Sequence, residues 1–473
     1  MKPIWFAVPV LSLCVAFAQE SKYIEYESDL LSPSWHQARR DSLMAQLGDS
    51  AIAIFFAAPE RTRNNDVEYQ YRQDDNFYYL TGFTEPNSIL ILAPQGISVA
   101  ALDDSSKTTQ TKEVLFVEAR NPQREQWTGR RYGPEGAMKL RGLRYAMTNN
   151  KFTEILGSAL SPGVKYFYVP AFRGDFSGAI AKLAAPIKDS LESLKKNFEI
   201  KDPSALLRKM RVVKTAEEIQ LLTKATDISA MAHRQAMMSC EPGMGEYELQ
   251  AVYEYVFKKM GAEYNGYPCI VGAAENSVIL HYNSDRRKIS AGEVLLADCA
   301  AEYHGYSSDV TRTYPVNGKF TKPQKEIYQI VLDAQTAAIG MMKPGVAWRD
   351  VSRKADSVLK AGMMRIGLIS DTAGMEYRKF YMHGLGHAVG LNVHDVGAPL
   401  LQEGMLYTVE PGIYVMDNIE GIPPQYKNIG VRIEDVVLVT ADGHKNLSAA
   451  APREIAEIEK LMAKKGIGNQ PVR

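Results

Sequence analysis

The chain has 473 residues, enough for two to three domains of ordinary size. Its 45% hydrophobic and 23% charged residues are a globular balance, with apolar material for a large core and no need of a disulfide or metal merely to hold the fold. Lys and Arg number 55 and Asp and Glu 55, which argues against a nucleic-acid binder and a polybasic membrane-surface protein. A mean hydropathy of −0.23 with a single long apolar stretch excludes a multi-span membrane protein.

That stretch opens the chain. Lys2 gives a short positive start, Ile4 to Phe17 is almost wholly apolar, and Ala16-Phe17-Ala18 is a small-x-small site, so residues 1–18 read as a signal peptide cleaved after Ala18. The run is short for a membrane span, which needs about 20 residues; an uncleaved anchor is the alternative. A lipidated Cys14 is disfavoured by Leu13 before it. Cys240, Cys269 and Cys299 remain beyond the signal. They form no CxxC pair, so zinc-finger and thioredoxin-like readings fail. One disulfide is possible in an oxidising compartment, and buried free thiols are the plainer state.

Trp35 to Leu47 reads as an amphipathic helix. Ala51-Ile-Ala-Ile-Phe-Phe is a buried strand, and similar runs recur at Ser88–Leu92, Val114–Val117 and Tyr166–Val169. With helical stretches between some of them, and helical spacing over 178–198, residues 19–205 form an α/β domain. Pro203 breaks the chain. Thr215 and Glu218 then make a capping box that starts a long helix running towards Ser239. From Tyr267 the pattern changes to short strands with Gly and Pro turns, interrupted by helices at 322–342 and 348–366, and residues 206–473 read as one α+β domain.

The chemistry concentrates in this second part. Val294–Ala297 reads as a strand ending in Asp298, and strand, polar turn, strand would set Asp309 beside it in an antiparallel pair. Two adjacent carboxylates repel and want a metal or a shared proton; a surface hairpin with two solvated acids is the bland alternative. In MHGLGHAVGLNVHD (382–395), His383 and His387 are spaced as in a zincin helix, but Gly384 and Gly386 would each cost a helix about 1 kcal/mol. An irregular or extended segment with close backbone approach follows. The glycines mimic a dinucleotide fingerprint without its βαβ context. With His394, three of the chain's 8 histidines fall in this window, more than packing needs. Glu410 ends a β-rich stretch just before the turn signal Pro411-Gly412. IGVRIEDVV (429–437) alternates as a strand, with Arg432 and Glu434 on one face; an amphipathic edge strand with a weak surface ion pair is the alternative. Four carboxylates with imidazole suit hard or borderline divalent metals such as Mn and balance two of them in charge. Two such ions can activate a water and stabilise the oxyanion of amide hydrolysis, and free histidines beside them can move protons.

Asp298, Asp309, His387, Glu410 and Glu434, with their surrounding strings, resemble the five-ligand set of the pita-bread dinuclear metallopeptidases, the family of methionine aminopeptidase, prolidase and aminopeptidase P. AAPERTRNND (57–66) and YRQDDNFYYLTGFTEPNSIL (71–90) resemble the N-terminal domain of the aminopeptidase P branch, which methionine aminopeptidase lacks. The resemblance implies a pita-bread catalytic domain and two divalent cations, Mn first, with Zn or Co also fitting. It implies that Asp298 and Asp309 chelate one ion, that Asp309 and Glu434 bridge the pair, and that His387 and Glu410 complete the other shell. Glu410 would also act as general acid/base. His281 in ILHYNSD resembles the substrate-side histidine, His394 the histidine near the scissile carbonyl, and His383 one that lines a proline pocket. Tyr414 and Arg432 match positions at the site's edge. Trp127, in REQWTGRRYG, sits where the branch places an aromatic that a neighbouring subunit offers to the site, which implies a homo-oligomer, a dimer or tetramer. The implied activity is release of the N-terminal residue from peptides with proline second, by a hydroxide bridging the metals, in a periplasmic or secreted protein that is not held in the membrane after signal cleavage. The alternatives are a prolidase restricted to Xaa-Pro dipeptides, an inactive peptide-binding module on the same fold, and a metal-free amidinohydrolase, which the intact carboxylate set disfavours.

Overall fold

Ala51–Phe56 is buried at every position, because both faces of the sheet it joins are covered. The computed structural model describes residues 26–160, 163–170, 185 and 197–470; the N-terminal apolar segment, and nearly all of the helix expected over 178–198, lie outside them. The strand lies in a six-stranded sheet in the order Ala146–Thr148, Thr108–Val117, Ile89–Ala100, Ala51–Phe56, Tyr166–Tyr168, Glu199–Lys201. Its partners run antiparallel on one side and parallel on the other. Side chains alternate between faces. Ile52, Ile54 and Phe56 pack with Phe152, Ile155 and Leu156 of helix Phe152–Ala159. Ala51, Ala53 and Phe55 join the larger core with Trp35, Leu43 and Leu47 of helix Pro33–Leu47.

The strand expected at Ser88–Leu92 continues to Ala100. Pro94 has no N–H for the ladder, so the register shifts between Leu92 and Ile97 and pairing then resumes. The first helix begins at Pro33, two residues before the expected start. Ser32 caps it, its hydroxyl accepting from the Trp35 amide, and proline fits the first turn.

Helix Ser204–Arg211 runs across the division expected near residue 205, and the long helix expected from Thr215 follows it. In helix Ala216–Ser239 the Thr215 amide donates to Glu218 at 2.9 Å and the Glu218 amide to the Thr215 hydroxyl at 3.4 Å. Helices Lys322–Ile339 and Trp348–Arg365 fall where expected. Two sheets carry the site. One orders Ile270–Ala273, Val294–Asp298 and Thr311–Pro315; the other orders Leu406–Val409, Asp435–Val439 and His444–Asn446, and a ladder of Gly412–Val415 with Ile429–Arg432 lies alongside. The Glu434 amide donates to the Thr311 carbonyl at 3.0 Å and joins the two regions.

Two local expectations are corrected. Asp298 pairs with Thr311 rather than with Asp309, because the segment between them is a hairpin, Ala301–Tyr303 with Tyr306–Ser307, that belongs to a separate small sheet. Residues 429–437 are two strands of different sheets, broken at Ile433-Glu434.

One core cluster runs through both parts of the chain. Trp35 Nε1 donates to the Thr215 hydroxyl at 3.0 Å, and Arg72 Nε donates to Glu302 at 2.8 Å. Cys240, Cys269 and Cys299 are free thiols, the last two buried. Among the described residues no helix is long and apolar enough to cross a membrane.

Candidate active site

A strand end is where a side chain can leave a sheet without burying an unpaired backbone group, and four of the five expected ligands sit at such ends. Asp298 closes Val294–Asp298, Asp309 precedes Thr311–Pro315, Glu410 follows Leu406–Val409, and Glu434 occupies the break between Ile429–Arg432 and Asp435–Val439. His387 comes from the glycine-rich segment, which is not helical. That segment runs beside Leu406–Val409: the His387 amide donates to the Thr408 hydroxyl at 2.9 Å, the Thr408 amide to the His387 carbonyl at 2.7 Å, and the Glu410 amide to the Leu385 carbonyl at 2.8 Å. Gly386 is required by this approach, since a Cβ there would collide with the Thr408 carbonyl. His387 and Glu410 are thus set side by side by one run of backbone contacts.

The five converge on a pocket of about 440 Å³ that His281, His383, His394 and Arg432 also line. His387 Nε2 lies 3.3 Å from Asp309 and 3.5 Å from Glu410, while its Nδ1 faces the Ala388 carbonyl at 3.2 Å. The carbonyl fixes the proton on Nδ1 and leaves the Nε2 lone pair turned to the carboxylates. Arg432 is a buried fork. It donates to Asp298 at 2.7 Å, to the Tyr414 hydroxyl at 3.0 Å and to the Thr311 hydroxyl at 3.1 Å. The Thr311 hydroxyl in turn donates to Glu434 at 2.7 Å. The Tyr414 hydroxyl donates to His383 Nε2 at 2.8 Å, and Tyr414 lies beneath the pocket wall. Trp127 does not line this pocket. It is 90% exposed on helix Pro122–Thr128, which buries no residue.

The charges do not balance by themselves. Burial, then Asp298 and Glu410, push Asp309 well above the usual carboxylate range. Burial, then Asp309 and Asp298, do the same to Glu434, and burial with Glu434 beside it pushes Glu410 up to about 8. Burial, with Arg432 adding to it, holds His383 down at about 3, so it is neutral. His394 is lowered by burial and by His387. Ligand atoms of Asp309, His387 and Glu434 all lie within 4.8 Å of one another. Carboxylates that resist ionising together, facing an imidazole lone pair, are a donor set suited to divalent cations.

The chain matches two family models: "Metallopeptidase family M24" over residues 220–441 and "Aminopeptidase P, N-terminal domain" over residues 36–168. It is 37% identical over 439 residues to the Xaa-Pro aminopeptidase of Escherichia coli K12, covering 90% of this chain and 97% of that one. The chain belongs to metallopeptidase family M24. Another relative, human Xaa-Pro aminopeptidase 3, is 31% identical over 91% of this chain and 86% of its own length. Among solved structures, aminopeptidase P from E. coli with the inhibitor Pro-Leu superposes with a TM-score of 0.82 at 35% identity, covering 92% of this chain and 99% of that one. The fold is therefore the M24 pita-bread catalytic domain preceded by an aminopeptidase P N-terminal domain, and membership of M24 implies divalent metal ions.

Three residues around the M24 carboxylates escaped the sequence reading. Thr311 and Thr408 sit two positions from Asp309 and Glu410, on the same strand faces, so the period-two rule that grouped Arg432 with Glu434 would have found them. Tyr267, which hydrogen-bonds Asp298, carries no such signal, because only the fold brings it there.

Proposed function

We propose that the protein is a metal-dependent Xaa-Pro aminopeptidase, which releases the N-terminal residue from peptides with proline second. The observation that carries this reading is the convergence of Asp298, Asp309, His387, Glu410 and Glu434 on one pocket. In this reading Asp298, Asp309, His387, Glu410 and Glu434 would together hold two divalent cations, with Asp298 and Asp309 serving one and His387 and Glu410 the other, and Asp309 and Glu434 shared; manganese would suit the oxygen-rich set, and zinc or cobalt also fit. Bound there, the cations supply Lewis acidity that polarises the scissile carbonyl and makes water nucleophilic at neutral pH.

The chain's own residues do the rest. The bond before proline has a tertiary nitrogen with no N–H, so that nitrogen must gain a proton to leave. Glu410 takes the proton from the attacking water and delivers it there. His394, neutral and at the pocket mouth, hydrogen-bonds the carbonyl oxygen as charge develops, and His281 faces the substrate. His383, Tyr414 and Arg432 form one hydrogen-bonded wall, which holds the imidazole neutral and shapes the proline pocket. Trp127, exposed on its helix, is available to a neighbouring subunit in a dimer or tetramer. Residues 1–18 direct export to the periplasm or beyond, without lasting membrane insertion, and the division between the two domains falls near residue 205.

The test is release of the N-terminal residue from an Xaa-Pro-Xaa tripeptide by the mature protein, with and without manganese, beside an Xaa-Ala-Xaa peptide and an Xaa-Pro dipeptide. Metal-dependent cleavage of the proline tripeptide is expected. Cleavage of the dipeptide alone would make it a prolidase, and no cleavage at full metal content would overturn the reading.

A further inference from the structure

His394 has an unusual support. Among the described residues no side chain or carbonyl hydrogen-bonds its ring, which stands edge-on to His387 with centroids 4.3 Å apart. Apart from that ring contact, its position is set by its backbone, a strap of residues 388–395 that follows His387 and carries His394. The strap closes on itself where the Asp395 amide donates to the Ala388 carbonyl at 2.8 Å and the His394 amide to the Asn392 side chain at 3.0 Å.

Two sets of charges hold the strap from outside. The Asp395 carboxylate, 3% exposed, meets Arg211 at 2.7 Å and Lys214 at 3.2 Å, whose side chains are 8% and 1% exposed. A Cβ at Gly390 would run into the Asp395 carboxylate and Lys214, so the strap is pressed onto this pair. The second set comes from the N-terminal domain. Arg72 donates to the Leu391 carbonyl at 2.7 Å, Asp75 accepts from Asn392 at 3.2 Å, and Asn76 accepts from Arg211 at 2.7 Å. Arg72 is itself fixed by Glu302 and Asp75.

We propose that Asp395, with its buried Arg211 and Lys214 partners, and Arg72 on the Leu391 carbonyl are positioning residues for His394. The N-terminal domain is then part of the catalytic device and not only a passive neighbour. The proposal rests on the aminopeptidase reading for the role of His394.

The test is a double-mutant cycle on the full chain with the Xaa-Pro-Xaa substrate, together with amide hydrogen exchange of residues 388–395 on chelated protein. Asp395→Asn keeps the shape and removes the charge; Arg72→Ala touches the strap from the other side and guards against misfolding of the first variant. Each is expected to lower kcat about tenfold with KM and bound metal little changed. Each should also speed exchange in the strap about tenfold. In a His394→Ala background the same substitutions should cost less than about twofold, since residues acting through one group are not additive. Full additivity, or unchanged kcat and exchange in an active parent enzyme, would overturn the positioning role. A parent with full metal and no turnover would overturn the aminopeptidase reading instead, while the exchange result would still judge the strap.

Discussion

Glu410 carries the heaviest load of any side chain in the pocket. It faces His387, accepts from Thr408 at 3.2 Å, and is pushed from the usual 4.5 up to about 8 by burial and Glu434. Glu410→Gln keeps its volume and removes both its charge and its capacity to take a proton. Turnover of the tripeptide should fall by at least about a thousandfold, while the circular dichroism of the chelated variant stays near that of the chelated parent; near-normal turnover would show that the site is wrongly assigned. His394→Ala should behave differently. It should lower kcat about a hundredfold while metal content stays close to the parent's, checked by elemental analysis of the purified variant; equal loss of both would make it a ligand. The raised carboxylate also sets a pH dependence. Between its unfolded value and about 8 the Glu410 carboxyl binds more proton in the folded, chelated protein than in the unfolded chain, so its contribution to stability is largest at the acid side of this window and is lost as pH rises through it. His383, which burial holds at about 3, works in the opposite sense, so the check is a comparison: from about pH 5 to about pH 8 the midpoint of the chelated parent should fall relative to that of chelated Glu410→Gln.

The extended run around His387 is as exacting as the side chains it presents. Gly386→Ala would drive a methyl into the Thr408 carbonyl. It should cost about 1–3 kcal/mol of stability and reduce metal content, both read from denaturant melts and elemental analysis of one preparation. This element was legible from sequence because two glycines at His387's side rule out a helix by local physics alone. The neighbouring strands were less so. Residues 429–437 keep the same alternation whether they form one strand or two, and the break at Glu434 is imposed by a hydrogen bond to Thr311, more than a hundred positions away in the chain. Asp298 and Asp309 likewise reach one pocket as expected, but the hairpin between them pairs with Tyr264–Asn265, a partner no local pattern names.

At the level of the molecule, the sequence shows a change of pattern after Pro203. It does not show what ties the early and late parts of the chain together, because contacts such as Trp35 to Thr215 and Arg72 to Glu302 join residues far apart in sequence. One consequence follows from where the carboxylates come from. Asp298, Asp309, His387, Glu410 and Glu434 belong to separate segments that meet only when the chain is folded, so a cation held among them acts as a removable cross-link, closing long loops as a disulfide would. It has no comparable site on the unfolded chain. At about a hundredfold over its Kd it should add about 2.7 kcal/mol to stability, and the thermal midpoint should climb with the logarithm of free manganese. On the export proposed above, a chain that crosses a membrane unfolded would acquire this cross-link only where it folds, from whatever cations that compartment supplies.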